Sequence, residues 1–244
     1  LRDWTGKTYW IVGASEGLGR AVAHKVSRAG ASLVLSARSE DRLADLVAEL
    51  PGRARAVPCD VSDRESVGKA AEEAGEIDGL IVTVGAYWPL AAQDWDADKV
   101  ETMCDVNLTG VVRVLGRVVP RMVARDAGHI VLTGSLSGFR GLPRSTGYAA
   151  SKAGLMALAE GMHADLRRSG VEVQLVNPGF IRTRLTDRND FRMPQILEPD
   201  EAAQRFFDHM NQGGFARNFP LALSAGLRGM ANFLPDALYY RIVG

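Results

Sequence analysis

Among 244 residues there are only two cysteines, Cys59 and Cys104. They have neither metal-ligand spacing nor the density of a disulfide-stapled scaffold, so both are expected as small packed residues in a reducing compartment. An excess of one charge is missing as well, since Lys plus Arg and Asp plus Glu each number 29. That balance offers no basic surface for a phosphate backbone, and nucleic acid is not an expected partner. No stretch approaches the roughly 18 uninterrupted apolar residues of a membrane-spanning helix. Leu1 to Lys7 lack the basic and apolar regions of a signal peptide, so the expected location is cytoplasmic. Internal repeats, low-complexity tracts and dividing linkers are absent too, which points to one domain able to bury a large core.

What is present is an alternation. Short β-rich runs at Thr8 to Val12, Ser32 to Ser36, Ala54 to Val57, Leu80 to Val84, His129 to Thr133 and Val171 to Val176 are separated by helix-length segments, and a last strand is expected at Phe215 to Phe219. That rhythm predicts βαβ units and a parallel sheet. The runs are apolar without strict alternation, as when helices cover both faces of the sheet. Ser39, ahead of Glu40, Asp41 and Arg42, reads as a helix N-cap, with Leu43, Leu46, Val47 and Leu50 as the stripe of a packing helix. The expected fold class is α/β: a Rossmann-like, doubly wound parallel sheet of about seven strands in a single domain.

Directly after the first of these runs comes Gly13-Ala14-Ser15-Glu16-Gly17-Leu18-Gly19, and a helical pattern continues from Leu18 through Val22 and Val26. Glycines let the backbone turn tightly and approach a ligand, while the free amides and positive end of the next helix favour a pyrophosphate. A dinucleotide is expected here. A second constellation is Tyr148-Ala149-Ala150-Ser151-Lys152, which opens an apolar helical pattern through Leu155, Leu158 and Met162. Tyrosine and lysine four apart share a helix face. A free tyrosine has a pKa of ~10, so a neighbouring ammonium that stabilises the phenolate makes proton exchange easier near neutrality. Ser135 stands thirteen residues before Tyr148, at the end of the His129 to Thr133 run, where α/β sheets place their ligands.

The Gly-x-x-x-Gly-x-Gly spacing departs from the Gly-x-Gly-x-x-Gly fingerprint. With Ser135, Tyr148 and Lys152 it resembles the classical short-chain dehydrogenase/reductase (SDR) family, over nearly the whole chain up to residue 220. The resemblance implies an oxidoreductase that interconverts a carbonyl and an alcohol by hydride transfer. Tyr148 is then the proton donor and acceptor, Ser135 polarises the substrate oxygen, and Lys152 also binds the nicotinamide ribose. Asn107 matches the family's asparagine, which helps hold a water linked to the lysine; together the four residues make a proton route from solvent. Cofactor contacts are implied for Gly13, Ser15, Glu16, Gly17, Leu18, Gly19, Asp60, Val61, Gly85, Tyr148 and Lys152. Pro178, Gly179, Ile181 and Thr183 match the segment that grips the carboxamide.

The second run ends at Ser36-Ala37-Arg38, where an acidic side chain would hold the ribose hydroxyls of NAD. Ala37 cannot do so, whereas Arg38 can pair with a 2′-phosphate, assisted by Ser39 or Arg42, so NADP(H) is the expected cofactor. A surface ion pair of Arg38 with Glu16 or Glu40 is the alternative, and Glu16 occupies a position that is basic in many NADP-preferring relatives. For Asp60 the alternative to an adenine contact is a turn residue. Val82-Thr83-Val84-Gly85 replaces the family's Asn-Asn-Ala-Gly and keeps only the glycine.

Substrate contacts are expected from the loops at 85–90, 136–146 and 182–197. Tyr87, Trp88, Phe139, Leu142, Phe180 and Phe191 suit a small hydrophobic carbonyl compound, or simply pack. Arg140, Arg144, Arg184, Arg188 and Arg192 read as a solvated loop face or as an attraction for an anionic substrate. Residues 221–244, after a catalytic domain at 1–220, read as an amphipathic tail packed on the same domain or on an oligomer partner. Association with a membrane through this tail is the less expected use. The family's habit implies a homodimer or homotetramer through Val100 to Arg121 and Tyr148 to Leu166. Two further readings stand beside the reductase: a non-catalytic dinucleotide sensor, and an epimerase or dehydratase that retains its cofactor. Only about 60 residues follow Pro178, little for the substrate domain of the latter.

Overall fold

The computed structural model describes residues 1–243 of the chain. Its strands are β1 (Thr8–Val12), β2 (Ser32–Ser36), β3 (Ala54–Ala56), β4 (Gly79–Val82), β5 (Gly128–Thr133), β6 (Val171–Pro178) and β7 (Ala216–Phe219). All pair in parallel, in the order β3-β2-β1-β4-β5-β6-β7. The chain therefore winds one way from β1 to β3 and the other way from β4 onwards. The switch lies between β1 and β4, where such sheets open a crevice at their carboxyl ends.

The fold is the doubly wound sheet expected, with local changes at the strand ends. Strand β4 stops at Val82 instead of Val84, because Thr83 and the residues after it turn out to line the crevice. Strand β6 runs on to Pro178, since β7 continues the ladder as far as the Pro178 and Phe219 pairing.

Alternating side chains divide the interior into two layers. Trp10, Val12, Leu80, Val82, Ile130 and Leu132 face one side, with α3 (Arg64–Ala74), α5 (Gly110–Ala124) and α6 (Thr146–Leu166). Tyr9, Ile11, Leu33, Leu35, Ile81 and Val131 face the other, under α1 (Gly17–Arg28), α2 (Glu40–Glu49) and α7 (Pro199–Gln212). Each such side chain contributes about 1.5–3 kcal/mol when removed fully from water, which makes these layers the main stabilising element. Ser39 does sit at the N-cap of α2, but its side chain makes no capping bond.

Away from the crevice a buried polar chain crosses the strands. Tyr9 Oη lies 2.9 Å from His129 Nδ1, and His129 Nε2 lies 2.8 Å from Gln174 Oε1. Gly79 makes room for it, since a Cβ there would stand 2.0 Å from the Tyr9 ring. Burial drives the His129 pKa down to about 3, so the ring is neutral.

The tail, whose spacing suggests one or two amphipathic helices, forms two, α8 (Leu221–Phe233) and α9 (Asp236–Val243). Helix α8 turns Leu223 and Leu227 towards the crevice, and α9 buries Tyr239. No helix among the described residues is long and apolar enough to cross a membrane.

Candidate active site

The crevice at the strand ends has a volume of about 830 Å³. The turn from β1 into α1 forms one wall, and its glycines are required by crowding. A Cβ on Gly19 would lie 2.1 Å from the Gly13 carbonyl oxygen, and one on Gly13 only 2.7 Å from the Val84 nitrogen. The first turn of α1 has no side-chain cap at Glu16, so its amides and the positive helix end face the crevice uncovered. Thr83, from the segment that departs from the family pattern, supplies its own solution. Its hydroxyl reaches the Val12 and Gly13 carbonyls at 3.2 and 3.1 Å and ties β4 to the glycine turn.

Asp60 and Val61 line the same crevice after β3, and Pro178, Gly179, Ile181 and Thr183 close it after β6. Asp60 also serves as a turn residue, accepting from the Ser62 amide and hydroxyl at 2.9 and 2.6 Å. The two readings of that position are compatible. Gly85 and Arg38 reach the crevice as well. Arg38 is exposed and forms no ion pair with Glu16 or Glu40. Glu16 instead holds Arg42 at 2.7 Å and Arg184 at 2.8 Å. A glycine turn, a bare helix end, an aspartate and a free guanidinium arranged along one crevice fit a dinucleotide.

Beyond the carboxyl end of β5 stand Ser135, Tyr148 and Lys152, which all line this crevice. Ser135 is buried at the start of a short 3₁₀ turn, and its Oγ accepts from the Ser137 amide at 3.2 Å. Tyr148 and Lys152 lie one turn apart on α6. Lys152 is buried, donates to the Thr133 carbonyl at 2.9 Å, and places Nζ 5.9 Å from the centre of the Tyr148 ring. Burial draws the Lys152 ammonium down to about 8. It pushes the Tyr148 phenol up to about 12, although the Ser135 hydroxyl pulls it back. Tyr148 thus stands as a protonated donor beside a cation that titrates close to neutrality.

Asn107 does not reach the crevice. It is buried in a π-helical turn, Asp105–Thr109, between α4 (Ala97–Cys104) and α5. Its Oδ1 accepts from the Ala86 amide at 2.7 Å, while Nδ2 donates to the Ala86 carbonyl at 2.9 Å and to Ser151 Oγ at 3.0 Å. Asn107 therefore fastens the loop after β4 to the helix carrying Tyr148 and Lys152.

Around the loops expected to meet substrate, Arg144, Arg184, Arg188 and Arg192 are exposed, as a solvated face requires, and every arginine of the set but Arg192 also has a partner within the protein. Arg140 holds the Ala231 and Leu234 carbonyls at 3.2 and 3.0 Å, pairs with Asp236, and lies 4.0 Å over the Tyr239 ring. Arg144 grips Asp190 with both nitrogens, and Arg188 bonds the Tyr87 carbonyl at 2.6 Å. Phe139 packs against the sheet face under α3, α5 and α6 instead of lining the crevice. Leu223 and Leu227 of the tail line it in its place. Tyr87 meets Tyr148 edge to face at 5.0 Å and donates to Asn189 at 2.6 Å.

Residues 7–192 match the family model described as short chain dehydrogenase. The chain belongs to the short-chain dehydrogenase/reductase family, and its general chemistry is hydride transfer with a dinucleotide. An uncharacterized oxidoreductase of Myxococcus xanthus is 33% identical over 246 aligned positions, covering 98% of this chain and 97% of that protein. A short-chain dehydrogenase from Sphingobium yanoikuyae in complex with NADPH superposes with a TM-score of 0.81 at 28% identity, covering 95% of this chain and 97% of the other. One from Burkholderia phymatum in complex with NAD reaches 0.85 at 26% identity, covering 93% and 94%.

Proposed function

We propose that this protein is an NADPH-preferring reductase of apolar carbonyl compounds, able to run in reverse as an alcohol dehydrogenase. The observation that carries the proposal is the meeting of Ser135, Tyr148 and Lys152 with the glycine turn in one crevice. A bound nicotinamide supplies the hydride at C4 in reduction and takes it up in oxidation. Tyr148 donates its phenolic proton to the substrate oxygen, and the Ser135 hydroxyl donates a hydrogen bond to the same atom. Lys152, charged below a pKa of about 8, offsets the negative charge left on Tyr148. Asn107 keeps the loop after β4 in register with α6, so that the three groups converge.

Arg38 is the support for NADPH over NADH: it is a guanidinium at the end of β2 with no carboxylate partner, suited to a 2′-phosphate. Leu142, Phe180, Phe191, Leu223 and Leu227 line the substrate end and support an apolar substrate. Exposed Val112 and Val123 on α5 suit the packing of a second copy, and light scattering at the mass of a monomer would count against a dimer or tetramer.

The test is oxidation of NADPH and NADH against polar, aromatic and long-chain carbonyls, with Tyr148→Phe as control. Turnover that prefers NADPH and apolar substrates and disappears in the variant is expected. Tight NADPH binding with no turnover of any carbonyl class would favour a dinucleotide sensor instead.

A further inference from the structure

Glu16 sits at the N-cap of α1, beside the crevice wall where a dinucleotide's phosphates are expected, and it is an anion where the ligand is also an anion. Its two carboxylate oxygens go to different places. Oε2 accepts from Arg42 Nη1 on α2 at 2.7 Å, and Oε1 accepts from Arg184 Nη2, beyond β6, at 2.8 Å. Both arginines line the crevice, as does Arg38, four residues before Arg42. Of the three guanidiniums, Arg38 has no carboxylate partner, while Arg42 and Arg184 share the single Glu16 carboxylate, so Arg42 is engaged by an internal anion but only partly compensated.

We propose that Glu16 is a built-in competitor of the 2′-phosphate. It withholds Arg42 and so sets how strongly the protein discriminates between NADPH and NADH. This inference rests on the reading of the crevice as a dinucleotide site but not on Arg38 being sufficient for NADP selectivity. A 2′-phosphate arriving at Arg38 draws on Arg42 as well, and must do so against the existing Glu16 bond. NADH carries no 2′-phosphate and leaves the Arg42 pair intact. Glu16 thus weakens NADPH selectively, through Arg42. Its hold on Arg184 spans the two walls of the crevice and affects both dinucleotides alike. The side chains of Glu16, Arg42 and Arg184 are 34%, 46% and 62% exposed, so salt and water screen the pairs and the effect is moderate.

The test is equilibrium binding, which needs neither a substrate nor turnover. NADPH and NADH are titrated separately by nicotinamide fluorescence into the wild type, Glu16→Gln, Arg42→Gln and the double variant. Glutamine keeps the size of Glu16 and removes its charge. The expected result is a roughly tenfold rise in the NADPH-over-NADH preference of Glu16→Gln, the scale of one charge-assisted hydrogen bond after screening. In the double variant the preference should return to that of Arg42→Gln alone. Equal tightening of both dinucleotides would place the effect at Arg184 and overturn the proposal, as would an unchanged preference. A wild type with no preference, converted to an NADPH binder by Glu16→Gln, would refute Arg38 as a sufficient selector while upholding the role of Glu16. A wild type that prefers NADPH and does not respond to Glu16→Gln would do the reverse.

Discussion

Lys152→Met should make the folded protein more stable at neutral pH while abolishing its catalytic use. The lysine is 2% exposed, its ammonium bonds one carbonyl, and burial lowers its pKa from 10.5 to about 8. At about 1.4 kcal/mol for each pH unit, keeping that cation folded costs about 3 kcal/mol near pH 7. Methionine fills a similar volume without charge, but it leaves the Thr133 carbonyl without its partner, a loss of about 1–3 kcal/mol. The net gain is therefore small at pH 7. The pH dependence is the sharper quantity. The folded pKa lies below the unfolded one, so the unfolded chain binds more protons between about 8 and 10.5, and wild-type stability rises with pH through that window. Lys152→Met lacks this term. Between pH 7 and pH 10 the stability of the variant relative to the wild type should fall by about 2–3 kcal/mol. Urea denaturation of both proteins at the two pH values reads this directly, since all other titrations cancel in the difference. A stability difference that stays constant with pH would refute the assignment of Lys152 as a desolvated cation.

If Tyr148 is the proton donor proposed, Tyr148→Phe should lower kcat by about 10²–10⁴ while the NADPH dissociation constant, measured by fluorescence, changes far less. The carbonyl reduction rate should decline above pH 8 as Lys152 loses its proton, which a pH profile of kcat checks, and a flat profile to pH 10 would count against its role. His129, neutral in the fold with its pKa at about 3, binds protons in the unfolded chain first, so its contribution is complete above about 6.5 and is lost as pH falls towards 3. His129→Asn should flatten the acid limb of the stability curve, measured by denaturant titration from pH 7 to pH 4. Arg140→Ala deletes three tail contacts and a cation–π stack, and hydrogen exchange should then be faster in α8 and α9 while the strands of the sheet remain protected.

The strands were legible because their burial on both faces makes them short continuous apolar runs, and the glycine turn and the Tyr-x-x-x-Lys pair because each is local in sequence. Partners that lie far apart in the chain were not. Nothing in Thr83 announces that its hydroxyl replaces an asparagine pattern by binding Val12 and Gly13, because that role exists only once β4 lies beside β1. The partners of the Asn107 amide, Ala86 and Ser151, are 21 and 44 positions away and were not legible either. The ion pairs of Arg140, Arg144 and Arg184 span 96, 46 and 168 positions, distances over which charge patterning carries no signal. For the tail, periodicity suggested helices, but the placement of Leu223 and Leu227 at the crevice depends on how α8 packs after β7, which no period encodes.

That placement divides the crevice by order of synthesis. The walls that face a dinucleotide come from segments up to Thr183, whereas Leu223 and Leu227 leave the ribosome some forty residues later. During synthesis, a nucleotide-binding body can be assembled while the substrate end still lacks a side. Truncation before α8 would mimic that stage and, on the proposed reading of the crevice, separate affinity for the dinucleotide from choice of the substrate. On that reading, variation confined to α8 and α9 changes the substrate end of the crevice and leaves Ser135, Tyr148 and Lys152 as they are.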